Sequence, residues 1–339
     1  MKPTDFSKYL TGFFTKYLPH ERGLSSNTVI SYRDTFVLMI TFMEQEKSIK
    51  PEKLELISIT KKLIVEFLDW LEWERKSGAA TRNQRLAAIH SFFRYVQYQR
   101  PDNLHEHQQI MSIRVKKANK PVMSYLTIDG IRLLLEQPDV STKKGRRDLA
   151  LLSLLYDTGA RVQEIIDLTP AAVRFNKPHT ILLKGKGNKS RVVPLLDDQV
   201  EILKKYMTEW KLMEPFANQY PIFANSYHQK LTRAGVTNIL LRHLKKAREK
   251  NPELIPENIS CHSLRHSKAM HLLQAGINLV YIRDILGHVS VQTTEIYAKA
   301  DANLKRQALE KAYVSVKPAE AVDAMWIGNT DLKAWLNSF

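Results

Sequence analysis

Residues 180–195, TILLKGKGNKSRVVPL, hold the one clear β signal in this 339-residue chain. Two runs of β-branched and apolar residues flank a Gly-Lys-Gly-Asn-Lys turn, the pattern of an antiparallel hairpin. On either side the apolar residues recur at helical spacing. The chain therefore reads as mainly α with a small antiparallel β-sheet, without internal repeats or low-complexity tracts.

Upstream, residues 26–46 place Val29, Tyr32, Phe36, Met39, Ile40 and Met43 near helical spacing behind a Ser26 or Asn27 cap. Residues 60–78 do the same with Leu63, Phe67, Leu68 and Leu71, and Gly78 suits the stop. Residues 79–100 keep Leu86, Ile89, Phe93 and Val96 on one face, with Arg82, Arg85 and Arg94 on the other. A helix of that kind packs on a core while presenting cations to a phosphate backbone. Pro101 breaks the pattern, and a polar, basic stretch runs from about 101 to 121. It reads as a linker, either a solvated tether or one lying on a polyanion. Two domains are expected, 1–114 and 115–339.

Composition narrows the function classes. Lys+Arg of 51 against Asp+Glu of 35 gives a net charge of +16, which suits a polyanionic partner such as nucleic acid. A hydrophobic fraction of 44% with 25% charged residues is that of a soluble globular protein. No apolar run is long enough for a membrane span, and the N-terminus lacks a signal-peptide pattern. The single cysteine excludes an internal disulfide and argues against a multi-cysteine zinc site. A cytosolic protein is expected.

Four clusters in the second domain bear chemistry. Arg161 in TGARVQEI stands near a helix N-terminus, where the dipole disfavours a cation unless an anion binds. Glu164, three residues on, either holds it there or forms a plain surface ion pair with it. In the hairpin turn, Lys184, Lys186 and Lys189 form either an exposed basic tip or a source of a proton for a leaving oxygen. In CHSLRHSKAMHLLQAG, residues 261–276, His262, Arg265 and His266 share a helical face. Zinc and phosphate compete for that face. An arginine between the histidines, and no Glu after His262, favours phosphate. Last, LGHVSVQTTEIYAKA, residues 286–300, sets His288 past a Gly287 helix stop and Tyr297 about two turns into the next helix. Together these supply arginines, histidines, a lysine and a tyrosine, without the convergent carboxylates of a two-metal nuclease. That inventory fits metal-free attack of a tyrosine on a phosphodiester.

These four motifs, in this order, resemble the tyrosine recombinase (phage integrase) family, including Xer recombinases and transposon integrases. SNTVISYRDTF and TRNQRLAAIHSFFRY resemble its core-binding domain. The resemblance implies a C-shaped, two-domain clamp on DNA, made of a helical, SAM-like core-binding domain and a catalytic domain. It implies Arg161 and Arg265 as a clamp on the scissile phosphate and Lys186 as general acid. His262 would be a general acid/base or a phosphate ligand, His288 a phosphate-binding group at the second His/Trp position, Glu164 a support, and Tyr297 the nucleophile. A 3′-phosphotyrosine would form and a 5′-hydroxyl would leave, with no cofactor, metal or ATP. The implied partners are a double-stranded recombination site and further copies of the chain in a tetramer on two sites. An accessory protein or directionality factor is a further implied partner, and a nucleoid location the implied setting. Lys268 departs from the family pattern, as does a long tail with Trp326, Leu332, Trp335 and Leu336, read as an intersubunit element. The departures point to mobile-element integration, excision or transposition over Xer-type chromosome-dimer resolution. A type IB topoisomerase and a non-catalytic DNA-binding regulator stand as alternatives.

Overall fold

The computed structural model describes residues 3–118, 123–185, 187, 189–300, 334 and 336–338. The chain divides into two compact units, Met1–Val122 and Met123–Phe339. Among the described residues no helix is long and apolar enough to cross a membrane.

The first unit is helical: α1 (Asp5–Gly12), α2 (Ser26–Lys47), α3 (Lys61–Trp73), α4 (Ala79–Gln99) and α5 (Leu104–Met111). Its core is built by the expected stripes, with Phe36, Met39 and Met43 of α2, Phe67, Leu68 and Leu71 of α3, and Leu86, Ile89, Phe93 and Val96 of α4 all buried. Phe13 joins them edge-on to Phe36 and Phe92, at ring separations of 6.2 and 5.3 Å. Such edge-to-face pairs favour one packing over many.

Two expectations are corrected in this unit. The stretch read as a linker from 101 to 121 contains α5, which packs on α3 and α4 and buries His107 and Ile110, followed by Ile113. Those three residues recur every third position, a stripe that the polar residues between them conceal in the composition. The row of arginines on α4 is not a single exposed face either. Arg82 is only 4% exposed and pairs with Glu72 at 3.6 Å. Arg85 turns inward to donate to the Ser31 carbonyl at 2.9 Å and to Thr35 Oγ1 at 3.2 Å. Arg94 alone of the three is exposed. Helical spacing placed the cations on the side away from Leu86 and Ile89, but α2 and α3 cover part of that side.

The second unit comprises α6 (Ile128–Leu135), α7 (Lys143–Thr158), α8 (Val162–Ile166), β1 (Val173–Arg174), β2 (Thr180–Lys184), β3 (Ser190–Pro194), α9 (Asp197–Glu209), α10 (Arg233–Lys250), α11 (Cys261–Gln274), α12 (Leu279–Leu286) and α13 (Val291–Ala300). The hairpin forms as expected, with Leu183 opposite Arg191 and Ile181 opposite Val193. Alternation sends Ile181, Leu183 and Val193 into the core and leaves Leu182 and Val192 exposed. A third strand, β1, pairs with β2. Two residues are too few to show a period in the sequence. The buried run Ala150, Leu151, Leu152, Leu154 and Leu155 makes α7 a central helix, covered all round. It stops at Gly159, whose φ of +56° is left-handed, and a Cβ there would lie 2.6 Å from Leu286 Cδ2. Glycine is required twice over, for the turn and for the approach of α12.

Candidate active site

Each functional side chain is aimed by the end of a helix or by the sheet. Arg161 is the residue before α8, in extended backbone just beyond the Gly159 turn. Glu164, one turn into α8, reaches back: Oε2 accepts from the Arg161 backbone N–H at 2.9 Å and Oε1 from Arg161 Nη1 at 2.9 Å. The Arg161–Glu164 pair is not the plain surface pair that i,i+3 spacing allows, because the Glu164 side chain is only 3% exposed.

A second arginine explains how that carboxylate tolerates burial. Arg191 of β3 donates Nη1 to Glu164 Oε1 at 3.0 Å and Nη2 to Oε2 at 2.7 Å, a two-pronged pair. Its Nε donates to the Ile285 carbonyl at 2.8 Å, in the last turn of α12. Burial alone would raise the Glu164 carboxyl, but Arg191 and then Arg161 outweigh it and hold the group below the usual carboxylate range. Arg191 thus ties the arginine loop, the sheet and the turn before His288 together. Sequence reasoning passed over it. The available signal was its place in the β3 alternation, two residues from the buried Val193 and therefore on the inward face.

Helix α11 is capped by Ser260, whose Oγ accepts from the Ser263 N–H at 3.4 Å. This helix supplies Arg265, 1% exposed, with Nη1 donating to the Gly159 carbonyl at 2.7 Å. Its Nη2 is buried and has no hydrogen-bond partner among the described residues. Burial, then the nearby Arg161, push this guanidinium down to about 10. His262, one turn earlier, is lowered by burial and then by Arg265. His266 meets the His262 ring edge-on at 4.6 Å.

Helix α12 runs from an Asn278 cap, with Oδ1 accepting from the Val280 N–H at 2.9 Å, to a left-handed Gly287 at φ +66°. A Cβ at Gly287 would sit 2.9 Å from Arg191 Cδ. His288 follows, its Nδ1 2.9 Å from Thr294 Oγ1. Ser290 Oγ accepts from the Gln292 N–H at 3.1 Å as α13 begins. Two turns on, Tyr297 is 1% exposed, its ring nearly parallel to that of His288 with centroids 6.2 Å apart and an angle of 11°. Its hydroxyl lies 3.1 Å from His266 Nδ1. Burial raises the phenol, and the charges of Arg265 and Arg161 pull against that rise.

Arg161, Glu164, His262, Arg265, His288 and Tyr297 are therefore brought together, with His266 and Arg191 added by the fold. Lys186 lies outside the described residues. Its neighbour Gly185 donates its N–H to the Lys189 carbonyl at 2.8 Å, and a Cβ on Gly185 would come within 3.1 Å of Glu164 Oε1. Lys184 and Lys189 are exposed. Lys268 is not idle: it pairs with Asp157 at 3.5 Å and sits over the Tyr156 ring at 5.1 Å. Trp326, Leu332 and Trp335 of the tail fall outside the described residues, and Leu336 is exposed.

A buried phenol beside a buried guanidinium with a spare donor is chemistry for a nucleophile and an anion. Residues 124–303 match the phage integrase family, and residues 13–99 match the phage integrase N-terminal SAM-like domain. A putative integrase/recombinase of Sinorhizobium fredii, y4rC, is 34% identical over 337 residues, 99% of both chains. Tyrosine recombinase XerD of Listeria monocytogenes is 33% identical over 287 residues, 84% of this chain and 91% of that one. Among solved structures, the XerH site-specific recombinase bound to its palindromic difH substrate superposes with a TM-score of 0.66 at 26% identity, covering 86% of this chain and 82% of that one. The Tn1549 transposon integrase shares the fold, with a TM-score of 0.68 at 17% identity over 92% of this chain and 100% of that one. The chain belongs to the phage integrase family, the tyrosine recombinases. It is an enzyme of DNA breaking and rejoining.

Proposed function

We propose that the chain carries out site-specific recombination on double-stranded DNA through a covalent 3′-phosphotyrosine. The observation that carries this reading is the buried Arg265 Nη2, partnerless among the described residues, beside the buried Tyr297. A buried cation without a carboxylate is costly until an anion arrives, and a phosphodiester supplies one. Arg265 and Arg161 clamp the non-bridging oxygens, and the Tyr297 oxygen attacks phosphorus. His262 and His288 add hydrogen bonds to the pentacoordinate charge, and Lys186 protonates the departing 5′-oxygen. The energy of the broken bond is kept in the tyrosine ester, so rejoining needs no ATP. Glu164 is occupied by two arginines, which supports a mechanism without a metal.

The exposed Arg94, Lys184 and Lys189 serve as phosphate contacts that fix register without reading bases. The working unit is a tetramer on two sites. The setting is integration or excision of a mobile element. The full-length match to the integrase/recombinase y4rC supports this, because it spans the tail, whereas the XerD match covers 84% of the chain. Chromosome-dimer resolution is the second reading. The test is a nicked suicide substrate bearing the target site. A covalent adduct should form in EDTA and vanish in Tyr297→Phe with DNA binding kept. An adduct that persists in Tyr297→Phe overturns the nucleophile, and a need for Mg²⁺ overturns the mechanism.

A further inference from the structure

We propose that His266 is the proton acceptor for the Tyr297 hydroxyl, a further catalytic residue for strand cleavage. The inference rests on Tyr297 being the nucleophile. A phenol with an ordinary pKa near 10 is ionised in only about one molecule in a thousand at neutral pH, so attack needs somewhere for the proton to go. His266 Nδ1, at 3.1 Å, is the acceptor within hydrogen-bond reach of the Tyr297 oxygen among the described residues.

The other candidates are engaged. His288 Nδ1 faces Thr294 Oγ1, and its ring lies parallel to the phenol rather than pointing at the hydroxyl. His262 is edge-on to His266. Glu164 is held by Arg161 and Arg191, and Asp157 by Lys268. The groups set against His266 are His262 and Arg265 of its own helix and Tyr297 of α13. From α7, Tyr156 bonds His271 instead, and Arg283 and Asp284 of α12 pair with each other. Burial, then His262 and Arg265, push His266 down to about 4, so at neutral pH its ring is uncharged and has a lone pair to offer. A bound phosphodiester places negative charge against Arg265, one cause of that depression, and so raises the basicity of His266 when substrate is present.

The step balances. In the Nε2–H tautomer of His266, the Tyr297 O–H donates to Nδ1 and the proton moves there. The freed oxygen pair forms the O–P bond, the bond from phosphorus to the 5′-oxygen breaks, and that oxygen takes a proton from the general acid. Rejoining runs in reverse, and histidinium 266 returns its proton to the phenol.

The experiment is single-turnover adduct formation on the suicide substrate from pH 5 to 9, in wild type, His266→Ala and His266→Asn. Asparagine keeps a hydrogen-bonding atom near the Nδ1 position but takes no proton. Both variants should lose about 10²-fold in cleavage at pH 7. The deficit should shrink as pH rises toward the ionisation of the phenol, imidazole should partly restore His266→Ala, and DNA binding should stay within about twofold. Wild-type rate and pH profile in His266→Asn would show that a hydrogen bond suffices and overturn the proposal. A deficit that neither pH nor imidazole changes would overturn it too, leaving His266 a packing residue. Either result, with Tyr297→Phe still devoid of adduct, leaves the nucleophile standing.

Discussion

Arg82 of the first unit and Arg265 of the second are both buried, and the two are opposites. Arg82, 4% exposed, lies in the helical first unit against Glu72, itself held by Lys116. Arg265, 1% exposed, lies in the second unit against a carbonyl, a tyrosine and other cations, with no carboxylate bonded to it among the described residues. The first is architecture, since opposite charges repay part of the cost of leaving water. The second is a charge held at a cost, which makes sense only where an anion is the working partner. The surroundings of a buried cation, rather than its burial, separate a strut from a site.

The largest effect expected from this contrast is on cleavage. Arg265→Met should reduce adduct formation by about 10³-fold, at the upper end for loss of a preorganised donor. Thermal unfolding should show a stability unchanged or raised, because an unpaired buried charge has been replaced by an apolar chain of similar size. A marked loss of stability would break the comparison. Next, Arg191→Lys should cost about 10²-fold in cleavage rate with little change in DNA affinity, because a point charge cannot hold Glu164 two-pronged while reaching the Ile285 carbonyl. Full rescue by lysine would reduce Arg191 to a source of charge rather than of geometry.

Arg82→Met should do the converse of Arg265→Met. It should cost about 1–3 kcal/mol in stability by removing one of the two cations that hold Glu72, with cleavage per folded molecule unchanged. A smaller, pH-linked effect follows from His266 and His288, both pushed down to about 4 by burial and neighbouring cations. The unfolded chain binds their protons near pH 6.5 and the folded chain only near 4, so stability should fall as pH drops through that window. Urea unfolding at pH 7 and pH 5 checks this, and His266→Asn should flatten the difference. The smallest change is expected from Arg94→Ala. Binding should weaken uniformly across DNA sequences, and the salt dependence should lose about one unit of slope.

Much of the site was legible before folding, for a physical reason. Arg161, His262, Arg265 and His288 each sit within about a turn of a helix end marked by glycine or serine, with Tyr297 two turns past the Ser290 start, and helix ends are where local sequence writes its clearest signals. Glu164 was legible by its i,i+3 spacing, but its burial was not. His266 was seen on the same face as its neighbours, yet its partner lies thirty-one residues away, beyond the reach of any local pattern. Arg191 looked like one more basic residue beside a basic turn. Likewise Arg82 and α5 were misread because side-on cover by another helix leaves no mark on the segment it covers.

The sequence by itself determined most of the helices, the hairpin, the polyanion-seeking charge and the ordered set of reactive residue types, because these depend on spacing within a few turns. Only the tertiary structure decided which arginines are neutralised and which are left wanting an anion, and that the tyrosine hydroxyl meets His266. Those outcomes depend on what packs against each side chain from distant parts of the chain, and desolvation by such neighbours sets the energy of a charge more than its own segment does.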